Sequence, residues 1–186
     1  MIFIHRIACK FFIFHFYHPI KVCYTKKEVK AMDKHLFFEQ LHLLIQDEPN
    51  IIANLANISA FLNQNFDDIN WVGFYLVEKD NPKKELVLGP FQGKVACIRI
   101  PFGQGVCGNA ALRKETIRVL DVHQFVGHIA CDAESLSEIV IPIIVDDEVI
   151  GVLDIDSPSY NRFTLNDQMI LEDVVKIIEK DVFCKA

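Results

Sequence analysis

Leu36, Phe37, Leu41, Leu44 and Ile45 recur three and four positions apart, and this spacing predicts a helix over residues 34–47 that Pro49 ends. Ile51, Leu55, Ile58 and Leu62 repeat the pattern with Ile52 beside them, so a second helix presents one apolar stripe able to lie on a sheet. Beyond Asn65 the period falls from about 3.6 to about 2. Trp71, Gly73, Tyr75 and Val77 share one face of a predicted strand, and Val72, Phe74 and Leu76 share the other, so both faces are expected to be covered. A strand over residues 84–88 pairs back across the turn at Lys79-Asp80-Asn81-Pro82, and residues 95–100 read as a third strand stopped by Pro101. Gly103-Gln104-Gly105 then opens a short helix through Ala110 and Ala111, and residues 116–120 read as a short strand. Residues 138–145 and 148–155 form a hairpin turned at Asp146-Asp147. In the last helix Thr164 caps the N-terminus, Asp167 favours the first turn, and Leu165, Met169, Ile170, Val174, Ile177 and Ile178 give a stripe reaching about Phe183. Helices at both ends of an antiparallel sheet make an α+β domain of two or three layers.

The chain of 186 residues is long enough for one domain with a sizeable core. Its formal charge of −6 is unevenly spread: residues 1–31 carry +5 and residues 32–186 carry −11. An acidic domain without a basic stripe repels phosphate backbones, which argues against a nucleic-acid partner. Residues 1–31 also hold seven aromatics and three histidines, which break every apolar run. They offer neither a secretory signal nor a membrane span, and are expected to be an extension outside the fold, with the domain occupying residues 32–186. A membrane-associating tail is the other reading of this segment.

Cys9, Cys23, Cys97, Cys107, Cys131 and Cys184 are scattered through a domain that can build its core without disulfides, so the expected compartment is the reducing cytoplasm. Three of them, Cys97, Cys107 and Cys131, fall close together in the chain, and Glu138, Asp154 and Asp156 follow soon after. Asp154 and Asp156 are two apart on one strand and so share a face. Adjacent carboxylates on a sheet face repel unless they bind something or one keeps its proton; the other reading puts the pair on a solvated face or at the turn before Pro158. Cys131 follows His128 by three residues in a Gly-containing loop, where an imidazolium or exposed amides would favour the thiolate. A zinc site of Cys97, Cys107, Cys131 and His128 is a rival, although no Cys-x2-Cys pair anchors it. Trp71 on its own, in an apolar strand, reads first as ordinary core packing.

The segments NWVGFYL (70–76), LGPFQGKVAC (88–97), GVCG (105–108), DVHQFVGHIACDAES (121–135), SEIVIPI (137–143) and GVLDIDSP (151–158) together resemble the free methionine-(R)-sulfoxide reductases, which have the GAF fold. The resemblance covers about residues 33–182. It implies a central six-stranded antiparallel sheet with the N- and C-terminal helices on one face and an enclosed pocket on the other. It also implies Cys131 as nucleophile, Cys97 as resolving thiol, Cys107 as accessory thiol, and Trp71, Glu138, Asp154 and Asp156 as the substrate pocket. The activity implied is reduction of free methionine (R)-sulfoxide through a cysteine sulfenic acid and an intramolecular disulfide, in the cytoplasm. No bound cofactor or metal is implied, and reducing equivalents would come from thioredoxin, with NADPH supplied through thioredoxin reductase. The chain departs from the family pattern at Val95 and Val126, where proline is common, so the loops before Cys97 and Cys131 are expected to be less rigid. A GAF module that senses a small ligand without changing it is the alternative function, and the oligomeric state, monomer or homodimer, stays undecided.

Overall fold

Among the described residues, three of the four α-helices begin where the sequence supplies a side-chain acceptor for otherwise free N–H groups. The computed structural model describes residues 33–78, 83–125 and 134–184. Asp33 accepts from the N–H groups of His35 and Leu36 at the start of α1 (Lys34–Ile45), and Asn50 accepts from Ala53 N at the start of α2 (Ile51–Asn65). Thr164 and Asp167 form a reciprocal capping box at the start of α4 (Leu165–Ile178), which a π-helical turn (Glu179–Phe183) extends. The short helix α3 (Gly105–Arg113) ends at Lys114 in the left-handed conformation.

Six strands form one antiparallel sheet: β1 (Trp71–Val77), β2 (Glu85–Gly93), β3 (Arg99–Pro101), β4 (Ile117–Val119), β5 (Ser137–Val145) and β6 (Glu148–Ser157), in the order β3-β2-β1-β6-β5-β4. The β5–β6 hairpin turns at Asp146 and Asp147, both at positive φ as a two-residue type I′ turn requires. Two strands differ from their sequence expectation. β2 runs past residue 88 to Gly93, because the register shift between Gly73 and Tyr75 absorbs the extra residues of its Gly89-Pro90 segment as a bulge, where a proline is tolerated. β3 starts only at Arg99, since residues 94–98 leave the strand ladder, although Ile98 O still accepts from Leu88 N. The turn expected at residues 79–82 and the extension at residues 1–31 lie outside the described residues.

Strand alternation sorts the core into two layers. Val72, Phe74, Ile139, Ile141, Leu153 and Ile155 are buried on the face that carries α2 and α4. Trp71, Tyr75, Val140 and Val152 lie on the other face, in an apolar cluster with Val106, Cys107, Ala110 and Ala111 of α3. Thus, among the described residues, α3 is the helix that covers the face Trp71 shares with the acidic residues. No helix among the described residues is long and apolar enough to cross a membrane.

Candidate active site

Cross-strand register brings the candidate residues into two adjacent rows. Trp71 on β1 lies opposite Asp156 on β6, which lies opposite Glu138 on β5, which lies opposite Val119 on β4. In the next row Gly73, Asp154, Val140 and Ile117 are aligned in the same way. Directly opposed residues on antiparallel strands project to the same side, so Trp71, Glu138, Asp154 and Asp156 share one face; the period of two predicted this for Asp154 and Asp156 alone.

Above this face sits Cys107, in the first turn of α3. Its Sγ lies 3.9 Å from Glu138 Oε1, and the ligating atoms of Cys107, Glu138 and Asp154 all fall within 4.8 Å of one another. All three side chains are buried, with Asp154 and Glu138 each only 6% exposed. Asp154 Oδ1 finds no hydrogen-bond partner among the described residues. The sequence grouped Cys107 with the other thiols. Its place against Glu138 depends on how α3 packs on the sheet, which no local pattern encodes.

Three ionisable groups in so small a volume cannot all carry charge cheaply. Burial, followed by the nearby Asp154 and Asp156, holds the Glu138 carboxyl well above its usual range. Burial also pushes Asp154 up to about 7, against the opposing pull of hydrogen bonds from Cys107, Glu138 and the Ile155 N–H. The Cys107 thiol is pushed well above its usual range, first by burial and then by the charges of Asp154 and Glu138. Cys107 is therefore a neutral thiol at physiological pH and a poor nucleophile.

These displacements have a consequence for stability. Asp154 keeps its proton in the folded state up to about pH 7 but loses it near 3.8 when unfolded, so the folded state binds more protons across that window. Stability therefore falls as pH rises from about 4 to about 7. Asp154→Asn, with no charge to bury, should raise the melting temperature at pH 8 by several degrees, at ~2–4 °C for each kcal/mol in a domain of this size, and should flatten its decline with pH. Calorimetric scans of both proteins between pH 5 and pH 8 check this. A variant that melts lower at pH 8 would contradict the cost assigned to the buried charge.

Trp71 is fixed from several sides. Its ring stacks with Tyr75 at 5.8 Å and with Phe91 at 5.3 Å, and its Nε1–H donates to Lys94 O at 3.1 Å. With the N–H already satisfied, the indole offers apolar surface rather than a hydrogen bond. Gly73 makes this possible: a Cβ there would come within 2.7 Å of Trp71 Cη2 and 2.3 Å of Phe91 Cβ. Tyr75 and Phe91 were not singled out from the sequence, although Tyr75 is four residues along the same strand face as Trp71 and could have been.

Cys97 is half-buried in the segment before β3 and packs against the apolar cluster that contains Trp71 and Cys107. Cys131, with Val126 and His128, lies outside the described residues, so the expected enclosure is described only on its sheet and α3 sides. The C-terminal flank of that segment is nevertheless anchored. Glu134 pairs with Lys94 at 2.5 Å, and Ser135 Oγ accepts from Asn70 Nδ2 at 3.1 Å.

Comparison with known proteins points in one direction. The GAF domain family matches residues 50–181. The free methionine-R-sulfoxide reductase of Escherichia coli (strain K12) is 52% identical over 153 residues, covering 80% of this chain and 90% of that protein. The solved structure of fRMsr of Staphylococcus aureus in its reduced form has a TM-score of 0.77 and 55% identity, covering 84% of this chain and 99% of that one. The structure of its complex with substrate has a TM-score of 0.76 and 54% identity, with coverage of 84% and 99%.

Proposed function

The chain belongs to the GAF-domain free methionine-R-sulfoxide reductases and is an oxidoreductase, and from that premise we propose that it reduces free L-methionine (R)-sulfoxide by cysteine chemistry on the α3-covered face of its sheet. The observation that carries this reading is the buried cluster of Glu138 and Asp154 beside Cys107, with Trp71 in the neighbouring row. Such a site can hold an ammonium, hold a proton and pack a thioether at the same time.

The Cys131 thiolate attacks the sulfoxide sulfur while Glu138, kept protonated by its surroundings, donates to the oxygen. The oxygen is transferred to Cys131, methionine leaves with its sulfur reduced by two electrons, and Cys131 becomes a sulfenic acid. Cys97 then attacks the sulfenic sulfur, water leaves, and a disulfide forms. A dithiol protein of the thioredoxin type restores both thiols by exchange, drawing on NADPH in the cytoplasm.

Asp154 suits the ammonium of a free amino acid. An ammonium brought to its unpartnered Oδ1 supplies both the missing hydrogen bond and the opposite charge that restores the carboxylate. Asp156, one row along and opposite both Trp71 and Glu138, adds negative charge to the same face. Trp71 packs on the methyl and methylene groups. A peptide-bound methionine sulfoxide has no ammonium to offer.

Cys97, rather than Cys107, suits the resolving role, because Cys97 is partly accessible while Cys107 is buried with its proton held. The Lys94–Glu134 pair supports this assignment: it joins the residue three before Cys97 to the residue three after Cys131. Cys97→Ala should therefore release about one methionine per chain and then stall with Cys131 as sulfenic acid. Rapid-quench product counting and trapping of the sulfenic acid by a dione reagent, read by mass spectrometry, test this. Sustained turnover with thioredoxin at the wild-type rate would remove Cys97 from the resolving role.

A further inference from the structure

We propose that Cys107, Glu138 and Asp154 also bind a thiophilic divalent cation such as Zn2+, and that the bound cation excludes the substrate. The donor set is one thiol and two carboxyl groups, drawn from α3, β5 and β6, and its ligating atoms lie within 4.8 Å of one another. A tetrahedral zinc with Zn–S of about 2.3 Å and Zn–O of about 2.1 Å places its donors about 3.4–3.6 Å apart. The 3.9 Å between Cys107 Sγ and Glu138 Oε1 is already close to that spacing, so small side-chain shifts complete the set.

A second observation is independent of this spacing: Asp154, a carboxylate 6% exposed, has an oxygen with no partner among the described residues. A cation placed among these donors can satisfy that oxygen. The sulfur donor decides the class of metal. Mg2+ and Ca2+ prefer all-oxygen cages, whereas zinc accepts a thiolate with carboxylates. This set shares only Cys107 with the four-ligand zinc site weighed from the sequence. Three protein donors leave one position open, so the cation is a reversible occupant of the cleft rather than a structural staple.

The cation site itself stands on geometry alone. Exclusion of substrate rests on the reading given above, in which Asp154 receives the ammonium. The test uses the full chain, reduced and freed of metal by a chelator, and titrates it with Co2+ as a spectroscopic probe. Thiolate-to-cobalt charge-transfer absorption should appear and be displaced by Zn2+, and Cys107→Ser should abolish it. Asp154→Asn should weaken binding by more than about 100-fold, the upper end of what even outer-sphere losses cost. No such absorption in the wild type, or its persistence in Cys107→Ser at wild-type affinity, would overturn the site. Free methionine sulfoxide should lower the apparent Co2+ affinity. An unchanged affinity, with the Cys107 dependence intact, would overturn the exclusion and count against the placement of the ammonium.

Discussion

Cys131→Ser should lower kcat/KM toward free methionine (R)-sulfoxide by on the order of 10^4-fold or more while leaving the fold in place. The reason is electronic rather than steric. Reducing a sulfoxide takes two electrons, and the cysteine sulfur supplies them by accepting the oxygen as a sulfenic acid. A serine oxygen has no corresponding oxidation state to reach, and its hydroxyl stays protonated at neutral pH. Cys107 does not replace it, because burial, followed by the charges of Asp154 and Glu138, keeps its thiol protonated. The measurement is steady-state kinetics beside a thermal scan. A variant that melts normally and keeps a tenth of the activity would contradict a nucleophilic Cys131.

The second large effect belongs to Glu138. Glu138→Gln removes the proton that the account gives to the sulfoxide oxygen, and kcat should fall by about 10^2–10^4-fold, the range typical of a positioned acid. The pH dependence gives a sharper test. Glu138 acts in its protonated form and its carboxyl is held well above the usual range, so wild-type kcat should decline as pH rises through that raised value. Asp154 acts ionised and sits at about 7, so kcat/KM should also carry a rise as pH passes through neutrality. The glutamine variant should lose the decline set by Glu138 and keep the rise near neutrality. An unaltered decline in Glu138→Gln would move the donor role to another acid on that face, with Asp156 next in line.

Much of the frame could be read in the residues because it depends on short periods. The strand Trp71–Val77, the hairpin turned at Asp146 and Asp147, and the capped helix after Thr164 each follow from alternation, turn residues or an N-cap within a few positions. The shared face of Asp154 and Asp156 follows from the same period of two. What escaped depends on neighbours far along the chain. β2 continues through Gly89 and Pro90 only because its partner β1 tolerates a bulge there, and residues 95–98 stay out of β3 despite their β-forming character. The contact of Cys107 with Glu138 joins residues 31 apart, through α3 settling on β5 and β6. The stack of Trp71 on Phe91 similarly needs the β1–β2 register, which sets Gly73 opposite Phe91 and clears the space the indole occupies. Sequence alone thus named the acids and thiols, and packing decided which of them meet.

The central claim is that a cysteine on this sheet face reduces one stereoisomer of one free amino acid. NADPH consumption should be followed in a thioredoxin-coupled assay with three substrates: the R sulfoxide of free methionine, its S isomer, and methionine R sulfoxide within a short peptide. Turnover of the free R isomer alone is the expected result. Equal turnover of the peptide or the S isomer, or binding of the free R isomer with no NADPH consumed, would contradict it.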